Sequence, residues 1–303
     1  MDSSTTRTIP PTDAFRDEWL ALQLPYPAPD ANKYSRGKLF AFAGSEAYPG
    51  AALLAADAAL ISGAGYVQVV TEKSVVPLVI AHRPSLVATD SSSWTAERFQ
   101  ESRKAKPCAY LVGSGFDPND PAARRRVFDV LAYAKAPVLI DGGGLAFLTS
   151  LDAKSLLESR GRQGYPTVLT PHAGEAARLS AYYAGNDEAL AQKLVSEFRA
   201  TIVLKGPVTY VCDGENAYRM DKGTSALAKA GTGDVLAGMI GAFLAQGIEP
   251  FTACALGCRI HAQAGREAAA KRTAICVTAE DVIEAIPEAI RVVRLFAERT
   301  ISC

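Results

Sequence analysis

The chain has 303 residues, in which 32 Lys and Arg balance 32 Asp and Glu for a formal net charge of +0. That balance argues against a nucleic-acid binder, which needs a concentrated excess of cations to neutralise phosphates. At 49% hydrophobic and 21% charged residues the chain can build a large core and is too apolar for disorder. No run reaches the roughly 18 apolar residues of a membrane span; the nearest, 51–70, is interrupted by Asp57.

Residues 1–36 are rich in Pro, Asp, Ser and Thr and read as an extended segment with one short helical stretch, Asp13–Gln23. No apolar core of a secretory signal lies in Met1–Pro11. Together with six scattered cysteines (Cys108, Cys212, Cys254, Cys258, Cys276 and Cys303), this predicts reduced thiols and a cytoplasmic location. From residue 37 to 303 a single domain is expected. Lys38–Ala43 predicts a strand, Pro49–Ile61 an apolar helix and Tyr66–Val70 a second strand, together a βαβ unit. The alternation continues with strands at Ala109–Val112, Val138–Ile140, Thr167–Leu169 and Thr201–Leu204, and helices at Pro121–Ala134, Gly174–Tyr182 and Asp187–Arg199. Such alternation makes a mostly parallel sheet covered on both faces. Thr209–Cys212, a turn at Asp213-Gly214 and Ala217–Met220 predict a hairpin. Helices at Asp234–Gln246 and Pro250–Lys271 follow, then a last pair opening at Thr278, where Thr278 and Asp281 form a capping-box pattern.

Ligands of a parallel α/β sheet bind beyond the carboxyl ends of its strands. Here those ends carry Gly44-Ser45, Gly113-Ser114-Gly115, Asp141-Gly142-Gly143-Gly144, Thr170–Glu175 and Lys205-Gly206. Five glycine-bearing loops point to a shared cleft where backbone approaches a ligand. Most telling is Ala230-Gly231-Thr232-Gly233-Asp234, which opens an apolar helix. Free N–H groups and the positive end of the helix dipole make such a loop a phosphate cradle. Asp234 there is either an ordinary N-cap or a base that takes a proton from an attacking hydroxyl while the amides hold the transferring phosphoryl group. Neither a Walker sequence nor a complete G-x-G-x-x-G is present.

These residues resemble a known family. Lys205-Gly206 and the run Gly223–Ile240, with Gly231-Thr232-Gly233-Asp234 at its centre, are similar to the carboxy-terminal signature of ADP- or ATP-dependent NAD(P)H-hydrate dehydratases, of the ribokinase-like superfamily. Thr170-Pro171-His172-Ala173-Gly174-Glu175 is similar to its T-P-H-P-G-E motif, and Gly44–Ala52 with Ser62–Gly65 to its first βα unit. The resemblance implies a three-layer α/β/α sandwich. It also implies dehydration of the S-epimer of NAD(P)H hydrate, by phosphorylation of the ring hydroxyl from ADP or ATP and loss of phosphate; Mg2+ is expected because phosphoryl transfer generally needs it. Asp234 would be the base and touch the hydrate. Gly231, Thr232 and Gly233 would form the anion hole, and Lys205, Gly206, Pro207, Val208 and Thr209 the nucleotide site. Ala51, Gly115, His172 and Glu175 would face the substrate. The resemblance further implies a homotetramer and an epimerase supplied by another protein, since 36 residues are too few for that domain. The chain departs from the family at Gly142–Gly144, where a second acid is common, and at Ala230 and Ala173.

A kinase of a small alcohol or vitamin precursor on the same fold is the alternative, and would share Gly231–Asp234. Cys254, Cys258 and His261 fall on one helical face and could bind zinc, but no fourth ligand is evident, and packing among small residues is preferred. No metal ligand is assigned. Lys229, beside the cradle, is left between phosphate contact and solvent.

Overall fold

The computed structural model describes residues 17–104, 107–181 and 185–301. Nine strands, β1 (Lys38–Phe42), β2 (Tyr66–Thr71), β3 (Val87–Asp90), β4 (Cys108–Val112), β5 (Val138–Ile140), β6 (Thr167–Leu169), β7 (Thr201–Leu204), β8 (Thr209–Cys212) and β9 (Ala217–Met220), form one sheet in the order 3-2-1-4-5-6-7-8-9. Strands β1 to β7 run parallel, and β8 and β9 return as the expected antiparallel hairpin. The helices are α1 (Asp17–Leu22), α2 (Pro49–Ile61), α3 (Val76–His82), α4 (Ala96–Ser102), α5 (Pro121–Tyr133), α6 (Leu151–Arg162), α7 (Ala173–Leu179), α8 (Asp187–Phe198), α9 (Thr232–Ala245), α10 (Pro250–Arg272) and α11 (Ala279–Ile301).

Alternating side chains send the two halves of each strand to opposite faces. Leu39 and Ala41 of β1, with Leu111 of β4, meet α2, α9, α10 and α11 on one face. Phe40, Phe42, Tyr110 and Val112 meet α4 to α8 on the other. Helix α2 buries Ala51, Ala52, Ala55, Ala56, Ala58 and Ala59, small side chains that suit a helix packed closely among its neighbours. Small side chains also bring it against α9: a Cβ on Gly238 would lie 2.1 Å from the Ala55 carbonyl oxygen. Asp57, buried within α2, is held by Arg83 Nε and His82 Nε2, each at 2.6 Å.

Four features differ from the sequence expectation. The last pair of helices is one helix, α11, which runs through Pro287. Its buried stripe of Val282, Ile283, Ile286, Ala289 and Val293 continues across the proline, so packing outweighs the one lost backbone bond. Its start matches, with Thr278 N donating to Asp281 Oδ2 at 2.9 Å. Strand β3 and helices α3, α4 and α6 were not read from sequence, nor was the 3-10 helix Gly142–Thr149. Finally, α1 packs into the core: Leu20 is fully buried, and Asp17 bonds Arg259 Nε at 2.8 Å. Of the helical stretch expected at Asp13–Gln23, residues 13–16 lie outside the described residues, as does residue 182 of the stretch expected at Gly174–Tyr182.

Candidate active site

The loops after β4, β5, β6 and β7 converge at one end of the sheet, opposite the start of α9. Gly231 precedes that helix in the left-handed region (φ 89°), and Thr232 is its first residue. Asp234 therefore is not the N-cap. It stands in the first turn, half-buried, with no side-chain cap bond at the helix start. The Thr232 hydroxyl donates to the Leu227 carbonyl at 2.7 Å, which fastens the loop.

Beside this turn lies a cavity of about 590 Å³. Lys205, Gly206, Pro207, Thr209, Thr232, Gly233 and His172 line it, with Leu236, Met220 and Ala262 among the apolar walls. Val208 and Gly231 are not part of that lining. The Lys205 ammonium reaches the helix start, where a Cβ on Gly233 would lie 3.5 Å from Nζ. A cation and the start of a helix thus share one wall, as a phosphate requires.

Asp141 is the residue that sequence reading missed. In sequence it is the acidic start of a glycine loop; in the structure it is a hub. Its Oδ1 accepts from Lys205 Nζ at 2.8 Å and from the Thr170 hydroxyl at 2.6 Å, and its Oδ2 accepts from the Ser114 hydroxyl at 3.0 Å. The signal was an acid directly after an apolar strand, where the sheet topology puts ligands. Burial works against the Lys205 ammonium, yet the carboxylates of Asp141, Glu175 and Asp234 outweigh it and raise its pKa. Asp234 is pushed up to about 7, first by burial and then by the Asp141 carboxylate, with Glu175 adding to the rise and Lys205 and the Ser114 hydroxyl opposing it.

His172 caps α7: its Nδ1 accepts from Gly174 N at 3.0 Å, while Glu175 Oε2 accepts from His172 N at 2.8 Å. His172 is thus the N-cap of this helix, and its ring also borders the cavity. Ala51 and Gly115 are brought together, since a Cβ on Gly115 would lie 2.7 Å from that of Ala51. A second cavity, of about 420 Å³, is lined by Tyr48, Phe116, Gly142, Gly143, Glu175 and Arg178. The departure at Gly143 has a steric reason, because a Cβ there would lie 2.0 Å from the Phe116 carbonyl oxygen. Lys229 donates to the Ile275 carbonyl at 2.8 Å rather than reaching the cradle. Cys254 and Cys258 are buried with thiol pKa values raised by burial, and among the described residues no three His, Cys, Asp or Glu are grouped to hold a metal. His261 is buried on α10 and also borders the larger cavity.

Comparison with known proteins agrees with this architecture. In solved structures the fold is that of an ADP/ATP-dependent NAD(P)H-hydrate dehydratase from Bacillus subtilis, co-crystallised with ATP and Mg2+ (TM-score 0.77, 26% identity, 92% of this chain and 97% of that one). The mostly parallel α/β sheet is also that of a ribokinase-like superfamily protein from Enterococcus faecalis (TM-score 0.76, 24% identity, 92% of this chain and 95% of that one). Residues 39–288 match the NAD(P)H-hydrate dehydratase family, and the chain belongs to it. It is 30% identical over 280 residues to the ADP-dependent (S)-NAD(P)H-hydrate dehydratase of Xanthomonas campestris, covering 87% of this chain and 91% of that one. It is 38% identical over 231 residues to the bifunctional NAD(P)H-hydrate repair enzyme of Mycobacterium tuberculosis, covering 76% of this chain and 45% of that one. The chain spans about half the length of such bifunctional relatives.

Proposed function

We propose that the protein restores NAD(P)H from the S-epimer of its hydrate, with ADP or ATP as phosphoryl donor. The observation that carries this reading is the place of Asp234 in the first turn of α9, directly after Thr232 and Gly233, which with Lys205 line the larger cavity. The nucleotide lies along Lys205–Thr209, its terminal phosphate on the amides of Gly231, Thr232 and Gly233. The hydrate sits against Ala51, Gly115, His172 and Glu175. Asp234 takes the proton of the ring hydroxyl, and that oxygen bonds to the terminal phosphorus as the bond to the leaving nucleotide breaks. Hydroxide is a poor leaving group and phosphate a good one. Its departure, with a proton from the adjacent ring carbon, restores the double bond of NAD(P)H.

Magnesium would travel on the nucleotide, since the nearby carboxylates are engaged: Asp141 by Lys205, Thr170 and Ser114, and Glu175 by the His172 backbone. When bound, it offsets phosphate charge during transfer. The relatives' bifunctional name supports coupling to an epimerase that supplies the S form. A cytoplasmic homotetramer completes the reading; among the described residues no helix is long and apolar enough to cross a membrane.

The test is to incubate the protein with NADHX, Mg2+ and either ADP or ATP and follow the NADH absorbance band. Recovery that depends on nucleotide is expected, and the faster nucleotide names the donor. No recovery with either nucleotide overturns the reading in favour of a small-alcohol kinase.

A further inference from the structure

Three charged groups from three different loops meet at the site. Asp141 follows β5, Lys205 follows β7 and Asp234 opens α9. The structure pairs them unequally. Lys205 Nζ is bound to Asp141 Oδ1 at 2.8 Å, and both side chains are largely buried, 19% and 4% exposed. Asp141 is in turn fixed by the hydroxyls of Thr170 and Ser114, so its carboxylate cannot follow the lysine elsewhere. The backbone supports the same placement, with Lys205 N donating to the Pro171 carbonyl at 2.8 Å and Lys205 bridged to His172. Lys205 thus reaches Gly233 while its nearest carboxylate partner is Asp141 and not Asp234.

A lysine that closed on Asp234 would neutralise the group that must accept a proton. A base bound to an ammonium is a weaker base, and the attacking hydroxyl would lose its acceptor. We propose that Asp141 is a positioning residue of the reaction: by binding the Lys205 ammonium it keeps that cation off Asp234, leaving the Asp234 carboxylate able to take the substrate proton. The inference deepens the functional reading and rests on it for Asp234 as base. The ionisable groups facing Asp234 are Asp141, Lys205 and Glu175, with the Ser114 hydroxyl beside them. Of these Asp141 and Glu175 favour the protonated form and Lys205 and Ser114 the ionised form, so the two single substitutions below have opposite signs.

The test is a pair of variants read by two methods. In Asp141→Asn the acid limb of kcat/KM for hydrate dehydration moves down by about one pH unit or more, and plateau kcat falls about tenfold or more as the base weakens. In Lys205→Met the same limb moves up, and the double variant lies between them. A carbon-13 NMR titration of the aspartate carboxyls, with the Asp234 signal assigned from Asp234→Asn, shows the same two shifts without substrate or nucleotide. An Asp234 midpoint unmoved in Asp141→Asn overturns the proposal, as does a limb that stays fixed while the Mg2+ requirement rises. If Asp141→Asn does not fold, Asp141→Ser is read by the same two methods: a lowered midpoint upholds the proposal, and an unmoved or raised one overturns it. Failure of the wild type to regenerate NADH would sink the functional reading instead, and would leave the Asp234 titration to be judged separately.

Discussion

His172 and Lys205 are joined by a parallel backbone bridge between the loops that follow β6 and β7. The residue expected against the hydrate and the residue expected against the nucleotide are therefore set by one piece of main chain. Two substrates that must exchange a phosphoryl group need this fixed spacing, because transfer depends on holding the reacting atoms in line.

Asp234 provides the most direct check of the mechanism. Asp234→Asn keeps size and polarity but cannot accept the hydroxyl proton. Turnover should fall by at least about a hundredfold, while calorimetry shows ADP binding within a few-fold of wild type. A variant with full activity removes the assignment of the base.

The position of Asp234 on the pH scale gives a second check. Because its folded pKa is about 7, kcat/KM should rise with pH to a plateau above that value, as the carboxylate forms. Stability should run the other way. The ordinary value is 3.8, so between there and about 7 the folded protein holds a proton that the unfolded chain has released. Stability is therefore highest below that window and is lost as pH rises through it, by on the order of 2–4 kcal/mol. Denaturant unfolding at pH 5 and pH 8 measures this, and Asp234→Asn should flatten the difference.

Arg160 tests the scaffold apart from the chemistry. It is buried, with Nη1 donating to the Ala134 carbonyl at 2.6 Å and Nη2 to the Ala136 carbonyl at 2.7 Å. It also reaches Thr167 and Pro166, at the starting end of β6, away from the site. Arg160→Met leaves those carbonyls dry, at a cost of about 2–4 kcal/mol. A melting temperature lower by several degrees is expected, with the KM for nucleotide unchanged in the surviving folded enzyme.

Metal analysis should find no stoichiometric zinc in the purified protein. Burial raises the thiol pKa values of Cys254 and Cys258, which disfavours the thiolates that zinc needs. Stoichiometric zinc lost on Cys258→Ser would contradict the packing role.

The parallel core was legible because its central strands are short apolar runs leading into glycine-bearing loops, as in Val138–Ile140 before Asp141-Gly142. Strand β3, Val-Ala-Thr-Asp, was not, because an edge strand with half-exposed positions lacks that apolar run. Helix α4 begins Ala-Glu-Arg and buries only Phe99 and Ser102, too little for a periodic signal. In the site, the cradle was legible as contiguous sequence. The Asp141 hub was not, since its partners Lys205, Thr170 and Ser114 lie 64, 29 and 27 residues away. Only the fold brings them within reach.

The clasp between Asp17 and Arg259 bears on how the molecule can be trimmed. Starting an expression clone at Gly37, where the composition changes, would strip Leu20 from the core and strand the guanidinium of Arg259, 3% exposed, without its carboxylate. The workable boundary for a shortened clone lies upstream of Asp17, and the first helix serves as a brace across the final two.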